Sequence, residues 1–248
     1  MFIISHFAKS ATHNNALSNC IKSINLHYGF VPIHIIDDHS TIPIPDEIIN
    51  SKNIQIHDNP YPSSGEVGCL YWYLKNPQVG AYAFIIHDSM YAIRNTNPEK
   101  CTTLSPCTML WYFDKAFAYH RGRILNLLKN MNLGPDLIAK FHFDAGKKWM
   151  GCFGISVLIT HERLKYYEDT FNLFSQIHNI KTREDREAFE RIIGLIICTA
   201  EGKCPYMCGN IFDHPSMNTA AFSELGFEEL QNIGKLYKSP FLKSWFGR

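Results

Sequence analysis

The residues best suited to chemistry in this 248-residue chain are two acidic groups that each follow an apolar run. Asp37-Asp38-His39-Ser40 comes after Val31-Pro32-Ile33-His34-Ile35-Ile36, and His87-Asp88-Ser89 comes after Ala81-Tyr82-Ala83-Phe84-Ile85-Ile86. Carboxylates at such tips suit a nucleotide whose ribose or base needs hydrogen-bond acceptors, together with a divalent cation that neutralises a diphosphate. Neither GxGxxG nor GxxxxGK[ST] occurs, which removes the ordinary dinucleotide and P-loop chemistries and leaves metal and side chains to hold any phosphates. Cys204 and Cys208 are spaced like half of a zinc site, but no second Cys/His pair with matching spacing stands nearby.

The elements that must position these groups alternate. Phe2 to His6 reads as a short buried strand. Leu17, Cys20, Ile21, Ile24 and Tyr28 then fall at helical spacing after Asn14-Asn15. The run ending at Asp37-Asp38 closes a right-handed βαβ unit, the sign of a parallel sheet. Ile54-Gln55-Ile56 is a third strand, and Ser63 and Glu66 have capping-box spacing ahead of a helix face made by Val67, Leu70, Tyr71 and Leu74. The fourth strand ends at His87-Asp88-Ser89. In one parallel sheet both acidic tips face a single crevice. Further on, Asn95 to Pro106 reads as loop, Met109 to Phe113 as strand and Arg121 to Asn130 as helix. Trp149 to Ile159 reads as a buried strand region containing Gly151 and Gly154. Thr182 opens a helix with Phe189, Ile192, Ile193 and Ile196 on one face, and Cys204 to Pro215 is turns and a short strand. The stretch Lys235 to Arg248 is a basic, aromatic tail.

Composition narrows the class. Lysine plus arginine total 24 against 23 acidic residues, a net charge of +1 that argues against a nucleic-acid-gripping protein. Apolar residues make up 46%, enough for a real core. The mean hydropathy is −0.15 and no apolar stretch reaches the roughly 20 residues of a membrane span, which leaves peripheral membrane contact open. The eight cysteines show no tight pairing pattern, and the opening residues lack a basic leader, so reduced thiols and a cytoplasmic location are expected.

Taken in order, Leu17 to Ile24, Ile35-Ile36-Asp37-Asp38-His39-Ser40, Phe84 to Ser89, Gly151-Cys152-Phe153-Gly154 and Glu184-Asp185 resemble nucleotide-sugar-dependent glycosyltransferases of the GT-A fold. The resemblance covers most of the chain. It implies that Asp38, with Asp37 and the Ser40 of the turn, contacts the nucleoside of the donor. Asp88 stands in the metal-binding motif that normally reads Asp-x-Asp, here without its second carboxylate. His214, in Asp213-His214-Pro215, is the implied late histidine ligand, and imidazole with oxygen favours Mn2+ over Mg2+. Asp185, with Glu184, is the implied base that deprotonates the acceptor. Thr182-x-x-Asp185 is equally the spacing of a helix capping box. Lys238, Lys243 and Arg248 of the tail are placed to close over the diphosphate.

The expected fold is therefore α/β, a single GT-A-like, Rossmann-like domain with a mostly parallel central sheet flanked by helices. Residues 1–95 form the nucleotide-binding half and 96–248 the acceptor side and tail. The expected activity moves a sugar from a UDP- or GDP-linked donor to a hydroxyl of a glycan or other acceptor, metal-assisted, with no nucleic acid involved. Two alternatives stand beside it: an inactive nucleotide- or sugar-binding module, given the missing second acid, and a sugar nucleotidyltransferase. The latter needs a glycine-rich loop after the first strand, and Phe7 to His13 contains no glycine.

Overall fold

The computed structural model describes residues 1–114, 120–143, 149–213, 226–236 and 239–244. Strand β1 (Phe2–His6) is buried along its whole length, as befits the centre of a parallel sheet covered on both faces. Helix α1 (Ala11–Tyr28) carries the chain to β2 (Ile33–Asp37), α2 (Asp46–Ile49) precedes β3 (Ile54–Asp58), and α3 (Glu66–Lys75) leads back to β4 (Tyr82–His87). β2 and β4 flank β1 in parallel, with His6 opposite Asp37 and Ser5 opposite His87. The chain leaves β1 toward β2 and β3, then returns across to β4, so β1 and β4 bound the switch point where ligands bind in open α/β sheets.

Short β5 (Met90–Ala92) follows the β4 tip, and then α4 (Pro98–Leu104), β6 (Cys107–Asp114), α5 (Arg121–Lys129) and α6 (Gly134–Phe143). Next come β7 (Met150–Cys152), β8 (Val157–Thr160), α7 (His161–Phe171) and α8 (Arg183–Ala200). The described chain ends with β9 (Tyr206–Asn210), α9 (Phe227–Leu236) and β10 (Phe241–Lys243). The eight-stranded sheet runs β3-β2-β1-β4-β8-β6-β7, with β9 also paired to β6. β8 is antiparallel to both β4 and β6, β7 is antiparallel to β6, and the rest share one direction. β10 pairs with β5 in a separate two-stranded antiparallel ribbon. One core, built on α3 and α5 to α8, covers one face, and a second, with α1 and the β5–β10 ribbon, covers the other. The mixed α/β architecture with a mostly parallel sheet is the expected one.

Several local expectations are corrected. Asn95 to Pro106 contains α4, opened by the Asn97 side chain accepting from the Lys100 amide and by Pro98 at the first helical position. The Ser63/Glu66 capping box does not form: Gly65 precedes α3 without a side-chain cap, and the Ser63 amide turns instead to Asp38. The thiols are not all reduced, because the end of α8 and the start of the β9 segment bring Cys198 and Cys204 to a Cα separation of 4.4 Å, closed by a disulfide. Cys208 is a free thiol. Within the stretch read as a basic, aromatic tail, Phe241, Leu242 and Lys243 are all buried in β10. No helix among the described residues is long and apolar enough to cross a membrane.

The packing of α8 on β7 depends on Gly194. A Cβ there would lie 2.1 Å from the Met150 carbonyl oxygen and 2.7 Å from the Cys152 nitrogen, both backbone atoms that cannot rotate away. Gly194→Ala is therefore expected to lower stability by about 1–3 kcal/mol, despite alanine's better helix propensity, as read from urea unfolding midpoints.

Candidate functional site

The carboxyl ends of β1, β2 and β4 bring the two acidic tips to one side of the sheet. Asp38 is only 8% exposed. Its Oδ1 accepts from Asn59 Nδ2 and from the Ser63 amide, each at 2.8 Å, and its Oδ2 accepts from the Gly65 amide at 3.3 Å. It thus organises the loop that enters α3. Burial pushes its carboxyl above the ordinary value and nearby Glu66 adds to this, while the Ser63 amide, Arg186 and Asn59 pull the other way. Asp37 accepts from the amide and hydroxyl of Ser40, and the Ser40 hydroxyl accepts from the Ala8 amide at 2.8 Å. That pair ties the loop after β2 to the loop after β1. α1 begins beside these loops with no side-chain cap and no acid in its first turn, a polarity that favours anions.

A second network starts at Glu66 on the first turn of α3. Its Oε1 lies 3.0 Å from His87 Nδ1, and His87 Nε2 lies 2.8 Å from the Gly154 carbonyl oxygen. Both ring nitrogens therefore face oxygen atoms. Burial works upward on Glu66, but His87 and Arg186 outweigh it and hold the carboxyl at about 2. Gly154 adopts φ +56°, and a Cβ there would sit 2.4 Å from His87 Nε2, so the approach requires glycine. The Gly154 amide donates at 2.9 Å to Glu190 of α8, whose other oxygen lies 3.0 Å from Arg191. Burial nonetheless raises Glu190 to about 8, helped by Glu66 and Glu187 and opposed by Arg191 and Gly154. A carboxyl whose proton affinity burial raises this far is a candidate for acid–base work.

Asp88 sits deeper. It is fully buried, and its Oδ2 is 2.7 Å from Nδ1 of the equally buried His6. The next residue, Ser89, accepts a hydrogen bond from Lys243 Nζ, and the Ser89 carbonyl accepts from the Ser244 amide at 2.8 Å. Both charges reach the buried Cys20 thiol: burial raises it well above its ordinary value, Asp88 raises it further and Lys243 opposes them. Among the described residues the surroundings of Asp88 supply no second metal-ligating carboxylate. The residues that follow are Ser89 and Met90, one carboxylate oxygen is engaged by His6, and an ammonium is already packed against the turn. Among the described residues no three His, Cys, Asp or Glu side chains converge to hold a metal.

Asp185 and Glu184 belong to a separate set of contacts at the start of α8. Asp185 forms the capping box with Thr182 and pairs with Arg123. Although burial acts upward, the Thr182 hydroxyl, the Lys181 and Thr182 amides and Arg123 keep its carboxyl below the ordinary value. Glu184 is exposed beside it on the first turn of α8. His214, Lys238 and Arg248 lie outside the described residues. Glu190 and Arg186 are the positions that motif reading passes over. Arg186 donates to the Ser63 carbonyl at 2.9 Å. Helical spacing holds a signal for Glu190, because Ile193 and Gly194 follow it by one turn on a buried face.

The sheet order sets the acidic tips of β2 and β4 at the carboxyl ends of parallel strands on either side of β1, at the β1/β4 switch point of an open α/β sheet. No protein-family model and no curated protein matches the chain. Among solved structures it is similar to the galactosyltransferase LgtC. One such structure, in complex with donor and acceptor sugar analogs, has a TM-score of 0.44 and 13% identity over 84% of this chain and 73% of the other. Another, an active-site mutant of LgtC, has a TM-score of 0.48 and 13% identity over 99% of this chain and 88% of the other.

The raised carboxyl of Glu190 gives a signed pH dependence. Its folded value of about 8 lies above the ordinary 4.5, so the folded state holds a proton that the unfolded state releases. The contribution is fully present below pH 4.5 and declines by up to about 1.4 kcal/mol per pH unit toward pH 8. Glu190→Gln, which cannot ionise, is expected to be more stable than wild type at pH 8. It should also flatten the pH 4.5–8 part of a stability profile measured by denaturant unfolding.

Proposed function

We propose that the chain is a glycosyltransferase that binds a UDP- or GDP-linked sugar at the β1/β4 switch point and passes the sugar to a hydroxyl acceptor. The observation that carries this reading is the placement of the Asp37-Asp38 and His87-Asp88 tips on the two strands flanking β1, at one end of one sheet. Residues 1–95 then form the donor half, with the Asp37–Ser40 turn beside the nucleoside. The uncapped start of α1 and the exposed Lys9 supply favourable polarity for the diphosphate. Residues 96–248 supply the acceptor side.

Asp185 and Glu184 are the bases that the family resemblance suggests. Asp185 is committed to the helix cap and to Arg123, and Glu190 beside the Gly154 turn is a third candidate, a carboxyl whose raised proton affinity suits it to exchange a proton near pH 8. A binding module without turnover is the competing reading, favoured by the burial of Asp88.

Titration with UDP, GDP and their sugars, with and without Mn2+, tests the donor. Saturating the correct nucleotide at about a hundredfold over its Kd should add about 2.7 kcal/mol of stability, and the sugar nucleotide should be slowly hydrolysed. Binding with no hydrolysis or transfer would establish the binding module, and no thermal shift with any nucleotide would remove the reading altogether. For the base, Glu190→Gln is expected to lower transfer by about 10²–10⁴-fold while Asp185→Asn stays within tenfold of wild type. The reverse pattern would return the role to Asp185.

A further inference from the structure

The loop between β3 and α3 is held in a shape that its own residues disfavour. Ser63 has φ +72° and Gly65 has φ +54°, so both lie in the left-handed region, one of them with a side chain. A residue with a β-carbon stays there only when its surroundings fix it. Two side chains do so from opposite sides. From the tip of β2, Asp38 Oδ1 accepts from the Ser63 amide at 2.8 Å and Oδ2 from the Gly65 amide at 3.3 Å. From α8, Arg186 Nη1 donates to the Ser63 carbonyl at 2.9 Å. A Cβ on Gly65 would lie 2.9 Å from Arg186 Cδ, so the stem of the arginine lies against the glycine. Both polar main-chain groups of Ser63 thus end on ionisable side chains, one from residues 1–95 and one from residues 96–248. The arginine also acts at a distance, favouring the charged forms of Asp38 and Glu66. One turn further along the same helix, Glu190 accepts from the Gly154 amide. A single helix therefore carries both the group that grips the Asp38 loop and the carboxyl beside the Gly154 turn.

We propose that Arg186 is a positioning residue: from α8 it closes a clamp on the Ser63–Gly65 loop, and so fixes the Asp38 carboxylate for its contact with the nucleoside. Asp38 alone holds the loop by its amides and leaves the Ser63 peptide free to turn about them. The guanidinium stops that rotation by taking the carbonyl, and its charge persists at every pH at which the chain is folded. The clamp stands on the loop geometry alone, whereas its consequence for the nucleoside rests on the functional reading above.

Amide hydrogen exchange followed by NMR on the full chain tests the clamp without any ligand. In Arg186→Met the Ser63 and Gly65 amides are expected to exchange about tenfold faster or more, while those of β1 and β4 keep their protection. Arg186→Lys, which keeps the charge but not the planar fork, should recover part of the protection. Unchanged exchange at Ser63 and Gly65 would overturn the proposal. A loss spread evenly over the sheet would overturn it too, since that marks a general loss of stability. Arg186→Gln carries the same test if the methionine variant does not fold. UDP and GDP are then titrated calorimetrically into wild type, Arg186→Met, Asp38→Asn and the double variant. Arg186→Met is expected to weaken binding by roughly 5–30-fold in the wild-type background and by less than about twofold in Asp38→Asn. Equal losses in both backgrounds would show that Arg186 does not act through Asp38, and would overturn the proposal. Faster exchange with unchanged affinity would overturn the link to the nucleoside and leave the functional reading standing. If neither nucleotide binds the wild-type chain, the functional reading falls and the exchange rates alone decide the clamp.

Discussion

A carboxylate removed from water at the end of a central strand constrains everything around it. Asp88 is fully buried, and the chain surrounds it with a donor from β1 and a turn pinned by β10. Unpaired, such a charge would cost several kcal/mol, comparable to the whole net stability of a domain. The β4–β5 turn, the docking of the C-terminal strand and the orientation of His6 are therefore one arrangement rather than separate features. The crevice above inherits its floor from that arrangement.

On the opposite side of β4 the same tip serves a different network. His87 points away from Asp88, as neighbouring residues at a strand end do, and joins Glu66 to the Gly154 turn and through it to Glu190. One strand end thus links the two cores: the buried Asp88 pocket on the α1 side, and a chain of groups with widely separated proton affinities on the α3–α8 side. Within this one connected set Glu66 is held low and Glu190 is held high. Asp38 is tied to this set through Arg186, which lowers both Asp38 and Glu66 while gripping the Ser63 carbonyl.

How much of this was legible in the sequence depended on whether the signal was local. The strands ending at His6, Asp37 and His87 announce themselves as unbroken apolar runs, and Thr182 with Asp185 announces a helix start, because both signals lie within a few adjacent residues. α4 was hidden by Asn97-Pro98, residues that favour turns and helix starts alike. The partners of the site were hidden for a different reason. Glu66 has capping spacing but bonds His87, and Glu190 is one acid among several on α8. Lys243 sits in a stretch whose composition reads as a basic, aromatic tail. Each acquires its role from a neighbour far away in sequence, and burial of a charge cannot be inferred from its own flanks. The Cys198–Cys204 bridge belongs to the same category, since spacing alone does not say that a helix end and a strand start will meet.

The distance in sequence between His6 and Lys243 also bears on the order of events in folding. β1, β2 and β4 contain enough apolar surface to pair as soon as they are available, and a chain made from its amino end exposes them early. The turn after β4 must then wait for residues more than a hundred positions later before Lys243 bonds Ser89 and the Ser244 amide bonds the Ser89 carbonyl. Closing so long a loop is slow, and the intermediate before it is poorly satisfied, which makes the arrival of β10 a natural late, cooperative step. The last described strand, only three residues long, would then serve as the checkpoint between a collapsed sheet and the finished crevice.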